Sequence, residues 1–291
     1  MTLKLLSKAV FSKAMGLALT GALLAGGGAM AQAPHPEEPE NIQWSFEGPL
    51  GKFDQAQLQR GYKVYREVCA ACHSMSLLSF RNLGDKGGPF YAPRYPNSND
   101  NPYVKSLAAE YEVDDIDSET GDVIKRPAIS ADRLPSPFKN EAAARASNGG
   151  SLPPDMSVLA KAREGGPDYI HAILTGYRDP PAGLKVDPGK FYNPYFPGDL
   201  TSAWSGDPAH IPHGGVIGMI PPLRDGLVTF DDGTKSTLDQ QAKDVSAFLM
   251  WAAEPKLNER HQMGAAVMIY LLLLSGLLYA SYRKVWKNES H

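Results

Sequence analysis

The chain has 291 residues and two cysteines, and both fall within the five-residue run Cys69-Ala70-Ala71-Cys72-His73. The run puts two thiols two residues apart, with an imidazole directly behind them. That spacing lets the thiols reach the two vinyl groups on one side of a porphyrin and form thioethers, while the histidine lies beneath the iron as an axial ligand. The other uses of such a run are a redox-active disulfide and half of a zinc site. The first belongs in a thioredoxin-like βαβ setting, which the flanking sequence lacks. The second needs two further ligands, and no second paired motif exists. With no other cysteine to compete for the pair, the sequence predicts one covalently bound haem c.

Both ends of the chain carry membrane signals. Lys4, Lys8 and Lys13 precede an apolar, small-residue run from Met15 to Ala29, and Ala29-Met30-Ala31 supplies a small-x-small cleavage site before Gln32. This pattern predicts a secretory signal peptide over 1–31, removed on export; the alternative is a retained anchor. Export suits a chain without spare cysteines to mispair in an oxidising compartment. At the other end, the twenty residues from Met263 to Tyr282 hold no charge. As a helix they extend about 30 Å, the thickness of a hydrocarbon core. Arg283, Lys284 and Lys287 follow, with Tyr279, Tyr282 and Trp286 as interfacial aromatics. Positive residues stay on the cytoplasmic side, so the tail is predicted to be cytoplasmic and the main domain periplasmic, on a single-pass protein of the inner membrane. A buried core helix is the alternative, but such helices rarely run this long without a polar face. The expected division is signal 1–31, periplasmic domain 32–255, and anchor with tail 256–291.

Charge bears on partners. Without the three leader lysines, and without the three basic residues and one acid after Met263, the chain's 29 basic and 32 acidic residues become 23 and 31, a net of −8. Nucleic acid is a poor partner for so acidic a domain. Glu110, Glu112, Asp114, Asp115, Asp117, Glu119 and Asp122 crowd into thirteen residues without a Lys or Arg. Near a redox centre, such a run steers a basic partner; elsewhere it is a solvated loop.

The domain reads as mainly α and loop-rich. Phe53 to Val68 has helical spacing, with Asp54 near its start, and delivers the cysteines at its C-terminal end. Ser157 to Arg163 and Tyr169 to Thr175 are short helical candidates. Thr237 to Ala253 is an amphipathic helix with Ser236 as the expected N-cap, stopped or kinked by Pro255. Pro89 to Pro102 and Pro180 to Met219 are rich in Pro, Gly and aromatic residues and read as irregular connections.

A sixth iron ligand decides between electron carriage and an open site. With Met250 set aside in the helix that approaches the membrane, position along the chain leaves two methionines outside the leader, the membrane segment and the reach of His73: Met156 in Leu152-Pro-Pro-Asp-Met156 and Met219 in Ile217-Gly-Met219-Ile-Pro-Pro222. Proline-flanked loops are stiff enough to fix a sulfur, although apolar packing is the commoner role for methionine. Gly218 permits a close backbone approach and slightly favours Met219. His171, His210 and His213 remain open on residues alone.

Several segments, in order, resemble the cytochrome c1 family, the haem-bearing subunit of the ubiquinol–cytochrome c reductase (cytochrome bc1) complex. They are Cys69-Ala-Ala-Cys-His73-Ser-Met, Asn148-Gly-Gly-Ser-Leu-Pro-Pro-Asp, Ala160-Lys-Ala-Arg163-Glu-Gly-Gly-Pro-Asp-Tyr169, Phe191-Tyr-Asn-Pro-Tyr-Phe-Pro-Gly198, Gly218-Met219-Ile-Pro-Pro222 and Asp244-Val-Ser-Ala-Phe-Leu-Met-Trp-Ala-Ala-Glu-Pro255. The likeness runs from about Trp44 to the tail. It implies a c-type cytochrome domain with one C-terminal transmembrane helix, and His73 and Met219 as axial ligands. It also implies Arg163 near a haem propionate, and Asn148, Pro154, Tyr169 and Phe196 lining the haem pocket. The insertion from Asp199 to Gly215 departs from the shortest family members. A disulfide found in this region of some bacterial relatives cannot form here.

The resemblance further implies a membrane-anchored electron carrier of the respiratory or photosynthetic bc1 complex. It would accept an electron from the Rieske iron–sulfur protein and pass it to soluble cytochrome c, beside cytochrome b, which holds the quinol sites. Its part in the reductase would be electron transfer alone, since nothing in the sequence reads as an acid–base or nucleophilic site. The alternatives are an anchored cytochrome c serving a terminal oxidase, and a haem enzyme with an open sixth position.

Overall fold

The structure, a computed structural model, describes residues 35–288; the leader expected over 1–31 lies outside them. Helix α1 (Gln55–Glu67) forms where the periodicity places it, and the Asp54 carboxylate caps it by accepting from the Gln57 N–H at 2.8 Å. Its inner face buries Leu58, Gly61, Tyr62, Val64 and Tyr65. That face lies on helix α5 (Leu238–Ala253), whose buried stripe includes Ala242, Val245, Phe248, Leu249 and Ala252. The N-cap of α5 is Thr237, whose hydroxyl accepts from Gln240 N–H, and not the expected Ser236. The Ser236 carbonyl is instead turned toward the preceding loop, where it accepts from Gly226 N–H at 2.7 Å.

The two helices cross closely because residue 61 has no side chain. A Cβ there would stand 2.0 Å from the Asp244 carbonyl oxygen and 2.6 Å from the Phe248 Cβ. Beside the crossing, Arg60 Nε meets the fully buried Asp244 carboxylate at 2.8 Å, while its Nη1 reaches Asp232 at 2.7 Å. Burial pushes the Asp244 carboxyl up, and Arg60 and Gln240 pull it back. Around the crossing, Phe248 stacks on Trp251 and meets Tyr62 and Tyr65. This is the main core. It takes in Trp44, Phe46 and Phe53 from the N-terminal segment, and Met75, Leu78, Phe80 and Leu83 from the chain after the cysteines.

The other elements are smaller. Helix α2 (Pro102–Ala109) and helix α3 (Glu141–Ser147) are capped by Asn101 and Asn140. Helix α4 (Gly166–Thr175) packs on α5. Strands β1 (Glu112–Ile116) and β2 (Val123–Pro127) form an antiparallel hairpin, and β3 (Phe191–Asn193) pairs with β4 (Gly215–Ile217), Phe191 opposite Ile217. The molecule is therefore mainly helical and loop-rich, as expected.

Two further local readings are corrected, and the path of the insertion is defined. Over 157–163 there is only a 3₁₀ turn at Leu159–Lys161, because the segment between the Pro153-Pro154 pair and Gly165 is too short for a stable helix. The acidic run is not a plain loop: it forms β1 and the turn of the hairpin. The insertion over 199–215 buries Leu200 against Leu184 and Tyr192 as a small second core, and the chain then returns as β4.

Helix α6 (Leu257–Val285) runs 29 residues, long and apolar enough to cross a membrane. It starts inside the domain. Leu257 is buried in the main core, Asn258 Oδ1 accepts from Phe53 N–H at 3.1 Å, and His261 Nδ1 meets the Gly51 carbonyl at 2.8 Å. Beyond Met263 its large apolar side chains are exposed, a continuous apolar surface that makes this helix a candidate membrane span.

The crossing gives a first prediction. Gly61→Ala must separate α1 from α5, and overpacking of this kind costs about 3 kcal/mol. Thermal unfolding followed by circular dichroism should show a large fall in Tm. Lys63→Ala, which loses only an ion pair to the exposed Asp231, should unfold almost as wild type does. Equal melting of the two variants would show that the helices have room to spare.

Candidate haem site

Helix α1 ends at Glu67, and the next turn carries the cysteines. Cys69 to Ala71 is a single 3₁₀ turn, in which the N–H groups of Cys72 and His73 both fold back on the Cys69 carbonyl, at 3.0 and 2.9 Å. Both thiols are free, Cys69 buried and Cys72 exposed. Burial, followed by the neighbouring Cys72, pushes the Cys69 thiol up to about 12. Two unpaired thiols on one tight turn match what a two-thioether attachment needs.

His73 supplies the sharper test of fit. Its Nδ1 lies 2.8 Å from the Pro154 carbonyl. A carbonyl only accepts, so Nδ1 carries the hydrogen and Nε2 is left bare, with its lone pair available. Metal-bound histidines are oriented by this kind of bond. Burial lowers the affinity of His73 for a second proton, against the opposing effects of the Pro154 bond and of Asp155. The imidazole is thus neutral, oriented and fit to ligate iron.

The Pro154 segment is itself fastened to the haem-binding turn. Asp155 accepts from Ser74 Oγ at 2.7 Å and from the N–H groups of Ser76 and Ser157, at 2.9 and 2.8 Å. Met156 N–H donates to the Ser74 carbonyl, and Leu77 N–H to Ser157 Oγ. Burial alone would raise the Asp155 carboxyl, but hydrogen bonds from Ser157, Ser76 and Ser74 hold it down at about 2.

The other expected site residues lie on separate elements. Asn148 is half-buried and caps α3, its Nδ2 donating to the Ala144 carbonyl. Ser151, three residues further on, touches the Met219 segment: a Cβ on Gly218 would stand 2.3 Å from Ser151 Oγ. Met219 lies two residues after the end of β4, is half-buried, and has its carbonyl held by Tyr177 Oη at 3.1 Å. Tyr169 lies on α4, and Phe196 closes a turn on the Asn193 carbonyl, both half-buried. Arg163 is exposed, with its Nη1 on the adjacent Ala162 carbonyl. The other potential sixth ligands are engaged elsewhere. Met156 is buried in the main core, His171 meets Asp239 at 2.9 Å, and His210 and His213 sit exposed against Asp207 and the His35 carbonyl.

Residue types alone did not mark out Asp155, Ser151 or Tyr177. Asp155 and Ser151 stand inside the Asn148-to-Asp155 motif, but their work is hydrogen bonding to residues far away in the chain, 81 positions from Asp155 to Ser74 and 39 from Ser151 to Lys190, which a linear pattern does not display.

A neutral, oriented imidazole behind two free thiols, on a mainly helical domain with an apolar C-terminal helix, defines a membrane-anchored haem c protein. The chain belongs to the Cytochrome C1 family, which it matches over residues 44–289. It is 41% identical to cytochrome c1 of Blastochloris viridis, across 99% of this chain and 98% of that one. It is 39% identical to cytochrome c1 of Rhodospirillum rubrum, across 99% of each. Against cytochrome b/c1 of Bradyrhizobium diazoefficiens it is 41% identical over 97% of its own length, and spans 40% of that longer protein. As a family member the chain carries covalently bound haem c and is the haem-carrying, electron-transfer subunit of the bc1 complex, working with partner subunits.

The clasp yields a second prediction. The Asp155 carboxyl is depressed in the folded state, so it stabilises the fold above about pH 4, its ordinary range. That contribution is lost as pH falls toward 2. Asp155→Ala should destabilise the domain by about 1–3 kcal/mol at neutral pH, and the gap from wild type should shrink as pH falls through this window. A gap that is constant between pH 6 and pH 3 would mean the carboxylate charge does not hold the loop.

Proposed function

We propose that this chain accepts one electron from the Rieske iron–sulfur subunit and passes it to a soluble cytochrome c, while quinol chemistry belongs to the cytochrome b subunit. The observation that carries this reading is the bare Nε2 of His73, fixed by Pro154 in a segment that also touches the Met219 loop. On this reading Cys69 and Cys72 form the thioethers, and His73 and Met219 take the two axial positions. Asn148, Pro154, Tyr169 and Phe196 line the pocket, and Arg163 serves a propionate. The haem supplies one-electron chemistry when bound. The residues around it bind, orient and shield, and none is placed to make or break a substrate bond.

The same reading assigns 1–31 to a cleaved leader, 32–255 to a periplasmic domain, and 256–291 to an inner-membrane anchor ending in a cytoplasmic tail. Arg283, Lys284 and Lys287 at the far end of α6 support that orientation. The first turn of α6 is docked on the domain, so the site is held at a fixed height above the membrane.

Met219→Leu tests the ligand. Haem should remain covalently attached, the ferric Met–iron absorption band should vanish, and the potential should fall sharply, because a soft ligand that favours ferrous iron is lost. If Met156→Leu did this and Met219→Leu did not, the assignment would be wrong. Recovery of the full chain with cytochrome b and an iron–sulfur protein from solubilised membranes tests the assembly. Recovery with a terminal oxidase instead would overturn it.

The β1–β2 hairpin refines the docking prediction. Glu110 is paired with Arg66, Asp114 with Lys125 and Asp115 with Arg126. Glu112, Asp117, Glu119 and Asp122 are in no ion pair among the described residues, and it is their charge that projects. Neutralising these four should slow reduction of a basic cytochrome c by about threefold or more at low salt and much less at high salt, since exposed charges are screened within about 8–10 Å. Equal rates at low ionic strength would make the hairpin a solubilising feature only.

A further inference from the structure

Lys190 precedes β3, and its half-buried side chain is placed by the fold. Its Nζ donates to Ser151 Oγ at 3.0 Å and lies 3.1 Å from where a Cβ on Gly218 would stand. Ser151 belongs to the segment that ends on His73 through Pro154, and Gly218 directly precedes Met219. The ammonium is therefore wedged between the segment whose Pro154 carbonyl holds His73 and the segment that carries Met219, with a neutral hydroxyl as its hydrogen-bond partner. The Cα atoms of Gly218 and Met219 are one step of about 3.8 Å apart, so the charge lies close beside the ligand-bearing residue. A half-buried charge is screened less than an exposed one.

We propose that Lys190 sets the reduction potential of this site, holding it up by electrostatic repulsion of the oxidised state. The proposal rests on Met219 as ligand. Reduction adds one electron to the iron and moves no proton at Lys190, so the ferric site is one charge more positive than the ferrous site. A fixed cation beside it disfavours the ferric form and favours uptake of the electron. Ser151 has the positioning part: it ties the ammonium to the His73 side of the site, and Gly218 leaves the space for it.

The test uses the full chain in its membrane complex, with potentiometric titration and the ferric Met–iron band as readouts. Lys190→Met keeps the length of the side chain and removes the charge. It should shift the oxidised-to-reduced equilibrium at least threefold toward ferric, about 28 mV at 59 mV per tenfold for one electron, with the band intact. Lys190→Arg should keep the wild-type potential. An unmoved potential in Lys190→Met with the band present overturns the proposal, and so does loss of the band in that variant, since Lys190 would then be holding the loop mechanically. Met219→Leu is the separate arm. A band that survives it overturns the ligand reading, and with it the placement of Lys190 beside a ligand. A band lost there, with the potential unmoved in Lys190→Met, overturns only the Lys190 proposal.

Discussion

The crossing of α1 on α5 at Gly61 is the contact on which the rest depends. Helix α1 ends two residues before Cys69, so whatever fixes α1 also fixes the turn that carries the thiols and His73. The crossing is apolar in its energetics, built on Tyr62, Tyr65, Phe248 and Trp251, but its register is set by a polar device. Asp244 is fully buried and is met by Arg60 and Gln240. A buried carboxylate without these partners costs several kcal/mol. Sliding α1 along α5 by one turn would take Arg60 from Asp244, leaving the carboxylate only Gln240 of its own helix, and push Phe248 against a residue other than Gly61. The pair thus restricts the helices to one register, and the cysteine turn inherits that register.

The site itself is fastened differently. Past Cys72 no long element runs through it: the chain is a 3₁₀ turn, short strands and proline-flanked loops, with little regular backbone pairing to hold them. The fastening comes from side chains that reach backbone groups far away in sequence. Asp155 satisfies two N–H groups and a hydroxyl, Pro154 holds the His73 ring, and Tyr177 holds the Met219 carbonyl. The bonds to the Asp155 carboxylate are charge-assisted and stronger than neutral ones, which lets a loop-built site stay ordered. Electron transfer gains from an ordered site, because ligands that do not move between the ferric and ferrous states leave little to reorganise.

How far the sequence reveals all this follows from the range of each interaction. Helices α1 and α5 and the membrane helix are legible because their signals are local and periodic over sixteen or more residues, or nearly so. The family motifs are legible because whole segments match in order. The β1–β2 hairpin is not. Asp and Glu are poor strand formers, and the seven acids read as a solvated loop until Lys125 comes across to face Asp114 and Arg126 reaches Asp115 diagonally. Such cross-strand pairs are the unit of sheet stability, and here they lie about ten residues apart. The N-cap of α5 is missed by one residue because Ser236 and Thr237 are both able to cap, and only backbone geometry chooses. The clasp around His73 is missed for the same reason as the hairpin, at longer range.

The start of α6 links the domain to the membrane more tightly than Pro255 implies. A proline after a helix reads as a hinge, yet Leu257 is buried in the main core, Asn258 caps the Phe53 N–H, and His261 holds the Gly51 carbonyl. The same residues Phe53 and Gly51 lie just before α1, so one short stretch of chain ties the membrane helix to the helix that carries the haem-binding turn. The orientation of the site relative to the bilayer is therefore set by covalent chain and three close contacts rather than by a free linker. A site fixed in this way cannot carry an electron by moving from donor to acceptor. If it serves both, the movement belongs to the partners, and the surface it presents to them must be ready before they arrive. As proposed, the unpaired acids of the hairpin and the wedged ammonium of Lys190 would act on different steps under that constraint, one on the rate at which a partner arrives and the other on the electron's affinity for the site.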